Sequence, residues 1–269
     1  MRYFFHIAYK GTNFRGWQRQ KEVLTIQELI ENKLKEVFKY KITCLGCGRT
    51  DAGVHAAQYF FHIDVKQEID FDLKFRLNKM LPSDIAVFDV IKMEKDYHAQ
   101  FDATERTYDY FIHTSKDPFL AGHSSLYLFE NADLNKMKQA ASLLSKYSDF
   151  RALCKTPDRH DNTICNIKSV KMFTNKQEDR IRFQITSNKF LKGMIRIFVY
   201  RLFEIGTGKL SIEEFEYYLK NKEASKFNNL AYPQGLYLTK VSYPFLDIKP
   251  KNEFFTVLGN GQDNYWTEL

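Results

Sequence analysis

The sequence predicts an α+β protein made of two ferredoxin-like halves, and three observations support this prediction. Apolar residues alternate with a period of two in several short segments, as they do in strands. Other segments repeat apolar residues at helical spacing behind capping residues. In chain order these segments run β-α-β-β-α-β twice, which is the ferredoxin-like order and gives mainly antiparallel sheets. We expect halves at 1–104 and 105–246, followed by a tail at 247–269.

The first half opens with a strand at 3–9, where aromatic and aliphatic residues alternate. Thr25 and Glu28 form a capping box for a helix whose apolar face continues to Phe38. A shorter helix at 72–80 stops before Pro82, because proline disfavours helix in the residue that precedes it. The other strands of this half are predicted at 42–45, 58–65 and 85–93.

The second half begins with a strand at 106–112 and continues with a helix that Asn131 or Asp133 caps. Strands at 167–173 and 181–187 form a pair around a polar turn. A second capping box, Ser211 to Glu214, opens a short helix, and the last strand is predicted at 235–241. Beyond 244 the tail shows little periodicity and is predicted to be a surface arm.

The longest helix is predicted at 190–205, ended by two glycines. Residues three and four apart share a helix face, so Arg196 would lie on a flank that is basic. That flank would also carry Lys189, Lys192, Gly193 and Tyr200. Because glycine leaves a gap, another molecule could approach this flank closely.

The composition restricts the class of protein. The formal net charge of +7 and the pI of about 9.0 favour a polyanionic partner, although a solvated lysine surface would give the same balance. Since no run of 18 or more apolar residues occurs, we expect no membrane span. Four cysteines without a signal peptide suggest reduced thiols in the cytoplasm.

The cysteine spacing does not favour a metal site. Cys44 and Cys47 have the spacing of half a zinc site, but Cys154 and Cys165 are too far apart to form a second pair of ligands. We therefore predict no metal.

The segment 48–56, GRTDAGVHA, contains the candidate reactive group. Gly46, Gly48 and Gly53 allow backbone conformations that other residues avoid, so the segment is predicted to be a shaped loop between two strands. Asp51 is a carboxylate presented on this loop, where reactive groups are often found. The alternative is that Asp51 only caps a turn.

A second loop, 10–20, combines cations, amides and an aromatic residue. Arg15, Gln18 and Arg19 surround Trp17, a combination that suits contacts with phosphates and bases. A surface loop anchored by one tryptophan is the alternative. The β-α-β-β-α-β order is also that of RNA-recognition domains, and two such halves would flank a central RNA-binding cleft. Asp51 and Arg196 would both face this cleft.

At these residues the sequence resembles the TruA-type tRNA pseudouridine synthase family. The resemblance covers about nine-tenths of the chain and is strongest at GRTDAGVHA. It extends to the 9–20 loop, to LNKMLPSDI at 77–85, to YHAQFDA at 97–103 and to GLYL and VSYP at 235–244. Departures from the family pattern occur at Lys10, Gln100, Ile197, Tyr200 and Tyr232.

The resemblance implies a role for each of five residues. Asp51 would be the catalytic aspartate and Arg49 would hold the extruded target nucleotide. Tyr108 would stack on the uracil, Leu236 would pack against it, and Arg196 would pair with Asp51. The resemblance further implies a homodimer that uses no cofactor or metal and binds tRNA, with targets in the anticodon stem-loop at nucleotides 38–40.

The chemistry of uridine isomerisation agrees with these roles. The N1–C1′ bond must break and a C5–C1′ bond must form, and a carboxylate serves as a nucleophile at C1′ or C6, or as a base. A base stacked inside RNA must be flipped out and held by an aromatic face. An adjacent arginine keeps the carboxylate ionised, because an opposite charge lowers its pKa.

Three other functions compete with this interpretation. A non-catalytic RNA-binding module would have the same fold and charge, and a retargeted member of the family would act on rRNA. A hydrolase with paired carboxylates would need a second acid near Asp51, and Asp64 is the nearest candidate on the following strand. We expect His55 and His98 to be structural rather than catalytic.

Overall fold

The computed structural model describes residues 1–128, 132–223, 229–251 and 265–269, and it confirms a mixed α+β fold. The chain divides into two compact units. The first contains Met1–Arg106 and the described residues from Tyr237 to Lys251, and the second contains Thr107–Leu236 and 265–269. The sequence-based ranges placed residues up to 246 in the second half, whereas residues 237–246 belong to the first unit.

The helices and strands have the following bounds. The first part of the chain contains β1 (Arg2–Tyr9), α1 (Ile26–Phe38), β2 (Leu45–Gly46), β3 (His55–Asp64), α2 (Leu73–Met80) and β4 (Ile85–Met93). The rest contains β5 (Glu105–His113), β6 (Ser125–Leu126), α3 (Leu134–Ser142), β7 (Ile167–Thr174), β8 (Arg180–Ser187), α4 (Met194–Gly206), α5 (Ile212–Asn221), β9 (Leu236–Ser242) and β10 (Thr267–Glu268).

The sheet of the first unit has the strand order β4-β1-β3-β2, which is the ferredoxin-like order. β1 lies antiparallel to both β3 and β4. The core of the first unit contains stacked aromatic rings such as Phe5 and Phe61, whose centroids are 4.6 Å apart. β9 adds a short parallel pairing at the start of β3, through His55 with Tyr237 and Ala56 with Leu238.

The sheet of the second unit has the order β10-β7-β8-β5, with the antiparallel hairpin of β7 and β8 at its centre. β6 pairs in parallel with the end of β5. Predicted caps are confirmed here, with Asp133 at the start of α3 and the full Ser211–Glu214 capping box at the start of α5. The alternative cap of α3, Asn131, lies outside the described residues. The fourth strand expected of this half, β9, has most of its residues in the first unit.

The strand predicted at 42–45 is wrong except at its last residue. β2 contains only Leu45 and Gly46, and residues 42–44 are irregular. Side chains of α1 bind this backbone instead of a neighbouring strand. Glu31 Oε1 accepts from the Cys44 N–H at 2.9 Å, and Gln27 Nε2 donates to the Cys44 carbonyl at 3.0 Å.

The helix predicted at 190–205 starts later than expected, and the predicted basic flank is therefore wrong. α4 begins at Met194 because Gly193, its N-cap, has φ +71° and stops the helix from extending backwards. Lys189 and Lys192 precede the helix, so they share no helical face with Arg196. α4 and α1 have the same length, 13 residues each.

The described part of the tail packs against the protein, so the predicted surface arm is wrong there. Gln58 Nε2 donates to the Ile248 carbonyl at 2.9 Å, and Lys251 pairs with Asp89 at 2.7 Å. At the far end β10 pairs with β7. Within the described ranges, no helix has the length and apolarity needed to cross a membrane.

Candidate functional site

The loop that carries Asp51 is packed against the 10–20 loop. Trp17 N–H donates to the Thr50 carbonyl at 3.2 Å, and Gly53 N–H donates to the Phe14 carbonyl at 3.1 Å. Gly16 has φ +88°, and a Cβ there would collide with the Thr50 carbonyl. Only glycine therefore fits this approach, and the two loops form one structural element.

Buried aromatic residues fix the position of this element through hydrogen bonds and ring packing. The Tyr9 hydroxyl lies 2.8 Å from the Thr50 hydroxyl, and the Tyr59 hydroxyl donates to the Gly48 carbonyl at 2.7 Å. Trp17 is only 3% exposed and packs on Tyr59 with ring centroids 4.2 Å apart. Because both flanks of Asp51 are fixed in this way, its backbone position is well defined.

Asp51 is half-buried in this loop, and Arg49 beside it is exposed. The turn after Asp51 is closed by main-chain atoms, since Val54 N–H donates to the Asp51 carbonyl at 3.2 Å. Gly53 lies in the left-handed region, with φ +77°. The main chain itself therefore closes this turn.

His55, Asp64 and His98 have structural surroundings. His55 is buried, its Nδ1 accepts the Gly11 N–H at 3.0 Å and its ring stacks on Tyr237 at 4.4 Å. His98 Nδ1 accepts the N–H of residue 100 at 3.0 Å. Asp64, the nearest candidate for a second acid, forms an ion pair with Arg2 at 2.8 Å. This pairing removes the observation that would have favoured a two-carboxylate hydrolase.

Arg106 fixes the strand end that leads into the Asp51 loop, and the sequence reasoning missed this role. Its guanidinium donates to the Ala103, Gln100 and Cys47 carbonyls at 2.7, 2.7 and 3.0 Å. Cys47 is the residue just before Gly48, so one side chain connects the 97–103 segment to the loop. The only sequence signal was an arginine at the start of a predicted strand.

We expect Arg106→Lys to destabilise the protein and to lower its activity. The guanidinium donates to these carbonyls from two separate nitrogens, whereas a lysine ammonium has all its donors on one nitrogen and cannot keep the full set. Each lost charge-assisted hydrogen bond costs about 1.5–3 kcal/mol. Urea denaturation should show a loss of about 2 kcal/mol or more in the free energy of unfolding. Arg76→Lys is the matched control, since Arg76 lies on α2 and stacks over Phe71 at 4.5 Å. Equal stability of the two variants would show that the carbonyl contacts contribute little.

The candidate RNA-binding residues of the 10–20 loop differ in their surroundings. Arg15 and Gln18 are exposed. Arg19 forms an ion pair with the buried carboxylate of Glu31, and its N–H donates to Gln27 Oε1 at 2.9 Å. Arg19 therefore stabilises the packing of the loop on α1, and Arg15 and Gln18 are better placed to meet a ligand.

Five candidate residues lie in the second unit, and a backbone interaction fixes one of them, Arg196. Arg196 Nε donates to the Ala231 carbonyl at 2.7 Å, and the Ala231 N–H donates to the Arg196 carbonyl at 3.0 Å. Tyr108, on β5, is half-buried and packs edge-to-face against Phe190 at 5.2 Å. Leu236, at the start of β9, is 6% exposed.

Two tyrosines, Tyr110 and Tyr127, lie near enough to Arg196 to be affected by its charge. Burial raises the pKa of Tyr110 well above its ordinary value, and the smaller effect of the nearby Arg196 charge acts in the opposite direction. Burial likewise raises the pKa of Tyr127. Tyr110 donates its hydroxyl hydrogen to the Tyr232 carbonyl at 2.8 Å, and the Tyr232 N–H donates to the Tyr127 hydroxyl at 2.9 Å. Neutral tyrosines thus fix the backbone next to Ala231.

The remaining basic candidates and the departures from the family pattern have varied surroundings. Lys189 Nζ donates to Asn162 Oδ1 at 2.8 Å, and Lys192 is exposed. Ile197 is buried in α4, and the Tyr200 hydroxyl accepts a hydrogen bond from Asn229 Nδ2 at 3.3 Å. Tyr232 and Gln100 are exposed, and Lys10 is half-buried.

All four cysteines are buried thiols. Burial raises the pKa of Cys47 to about 11 and that of Cys165 to about 11, so both are protonated at neutral pH. In the described ranges the structure contains no group of three or more His, Cys, Asp or Glu side chains arranged to hold a metal ion.

A ferredoxin-like α+β unit that presents a carboxylate on a rigid loop, with exposed cations beside it, has features that suit an anionic polymer such as RNA. The chain belongs to the tRNA pseudouridine synthase family, whose model matches residues 6–102 and 140–244. Both stretches include candidate residues, Asp51 in the first and Arg196 in the second.

Relatives support this assignment over most of the chain. The tRNA pseudouridine synthase A of Porphyromonas gingivalis is 36% identical over 246 residues, which are 90% of this chain and 97% of the relative. The protein of the same name from Bacteroides fragilis is 38% identical over 90% of this chain and 96% of its own length. That of Hydrogenobaculum sp. is 36% identical over 90% of this chain and 99% of its own length.

Proposed function

We propose that this chain isomerises uridine to pseudouridine in the anticodon stem-loop of tRNA, with Asp51 as the catalytic carboxylate. As a member of its family the chain is an intramolecular isomerase that acts on tRNA. The observation that supports Asp51 is the loop itself. Backbone contacts of Thr50 and Gly53 fix the residues on either side, while Asp51 stays half-buried on the loop.

The proposed reaction is balanced without any external reagent. The N1–C1′ bond breaks, the base turns, and the C5–C1′ bond forms. The hydrogen on C5 leaves as a proton, and N1 gains one. Substrate and product are isomers, so no oxidant or reductant is needed. The carboxylate acts as a nucleophile at C1′ or C6, or as a base.

We assign contacts with the target nucleotide to the three residues for which the family resemblance implies them. Arg49 contacts the extruded nucleotide, Tyr108 stacks on the uracil and Leu236 packs against it. The same proposal gives Arg196 the role that the family resemblance implies, as the partner of Asp51. Outside this group, Arg15, Gln18 and Lys192 contact RNA phosphates, with smaller contributions from Arg19 and Lys189, whose side chains bind Glu31 and Asn162.

We also propose that two copies of the chain bind one tRNA in the cytoplasm. The family resemblance is the support for this step. Light scattering of the purified protein, with and without tRNA, measures how many copies of the chain are present in each state. A monomer that retains full activity would contradict it.

The function is tested by incubating the purified protein with tRNA transcripts that carry tritium at uridine C5, in the presence of EDTA. We expect tritium release from transcripts with uridine at 38–40 and none from transcripts in which those uridines are replaced. Release from rRNA fragments alone would indicate a retargeted enzyme. Binding of both RNAs without release would favour the non-catalytic module.

A further inference from the structure

Phe101 is an exposed aromatic residue on a rigid turn of the first unit. Its side chain is 75% exposed, although phenylalanine is costly to leave in water. One face of its ring stacks on His98, with centroids 4.3 Å apart and an angle of 29° between the planes. His98 in turn packs edge-on against the buried His62 at 4.6 Å. The two outer rings form a preassembled aromatic platform.

The backbone under this platform is fixed on several sides. The His98 N–H donates to Asp102 at 2.6 Å, and His98 Nδ1 accepts the Gln100 N–H at 3.0 Å. The Ala99 N–H donates to His62 Nδ1 at 3.2 Å, and the Ala99 carbonyl accepts from Tyr243 at 2.6 Å. These hydrogen bonds hold the turn that carries His98 and Phe101 in a fixed position at the surface.

His98, which belongs to the platform, and His62, which lies beneath it, are both neutral at physiological pH. Burial lowers the pKa of His62 to about 4, and burial also lowers the pKa of His98. A neutral His98 can keep accepting the Gln100 N–H through Nδ1. The stacked pair therefore has its binding geometry before any ligand arrives, which reduces the entropy cost of binding.

The platform is connected to the Asp51 loop. Arg106 binds the Gln100 and Ala103 carbonyls on either side of Phe101, and the same guanidinium binds the Cys47 carbonyl just before the loop. One guanidinium thus connects the backbone on both sides of Phe101 to the residue that precedes the loop.

We propose that Phe101, stacked on His98, binds a nucleobase of the RNA next to the target uridine. This inference rests on the proposed function and adds a second base-binding position to it. When the target base leaves the helix stack, its neighbour loses a stacking partner. A flat aromatic ring replaces that partner for any base, because every base has a π face, at a gain of about 1–3 kcal/mol.

The test uses tRNA transcripts with 2-aminopurine on the 5′ or the 3′ side of the target uridine. Stacking of this base on Phe101 should quench its fluorescence when wild-type protein binds. Phe101→Ala should reduce the quenching and raise KM about 10-fold, with a smaller change in kcat, whereas Phe101→Trp should preserve both. Phe119→Ala is the matched control, since Phe119 is 90% exposed in the second unit.

Each outcome of the test has one meaning. Equal quenching and equal KM for wild type and Phe101→Ala would overturn the inference, as would an equal effect of Phe119→Ala. A change of oligomeric state in Phe101→Ala would assign the ring to a protein contact and would also overturn it. The wild-type tritium assay separates this from a failure of the proposed function, which would show as no release at all.

Discussion

The Asp51→Asn protein is expected to bind tRNA about as tightly as wild type and to release almost no tritium from uridine C5. Asparagine has the shape of aspartate but no charge, so it can act neither as a nucleophile nor as a base. Removing a nucleophile or its base typically costs a factor of about 10⁴ or more in rate. Single-turnover tritium release at saturating protein isolates this chemical step from binding.

Asp64→Asn is the control for this experiment. Asp64 is a carboxylate of the same unit that pairs with Arg2 at the end of β3. Its replacement should change stability slightly and the rate of release by less than a few-fold, since surface ion pairs contribute about 0–1 kcal/mol. If Asp51→Asn kept more than a tenth of the wild-type rate while Asp64→Asn did not, the catalytic role would have to move to Asp64.

Local signals explain the parts of the fold that the sequence predicts well. Capping residues such as Thr25 and Ser211 lie at the starts of α1 and α5, because a side-chain oxygen that binds the first free N–H groups needs only its own neighbours. Alternation likewise predicts β4 at its observed bounds. The Asp51 loop is also predicted by a local signal, because its glycines indicate a shaped loop before any contact of the loop is known.

The errors arise where distant residues determine the backbone. Residues 42–44 have strand-like composition, but the side chains of Gln27 and Glu31 bind their backbone. Gly193 looks like a gap inside a helix, but its positive φ makes it the N-cap, so α4 begins only at Met194. No periodicity shows that Arg106 would bind the carbonyl of Cys47, 59 positions earlier.

On the role proposed for Arg196, the Arg196→Lys protein is expected to keep its fold and to lose about 10²–10³-fold in kcat, the loss that follows removal of one preorganised donor at the reacting groups. Lysine retains the charge, so a simple ionic role for Arg196 would leave kcat nearly unchanged. The guanidinium, however, uses Nε to bind the Ala231 carbonyl at 2.7 Å, and this bond orients its plane. A lysine has no group at that position, so the cation loses its orientation.

The loss of the Ala231 contact itself should cost about 1 kcal/mol in the free energy of unfolding. Arg201→Lys separates the two effects, because Arg201 lies on the same helix and pairs with Glu204 at 2.6 Å. It should show a similar small loss of stability and near-normal kcat. A normal kcat for Arg196→Lys would limit the role of Arg196 to its charge, and an equal fall in both variants would assign the effect to the stability of α4.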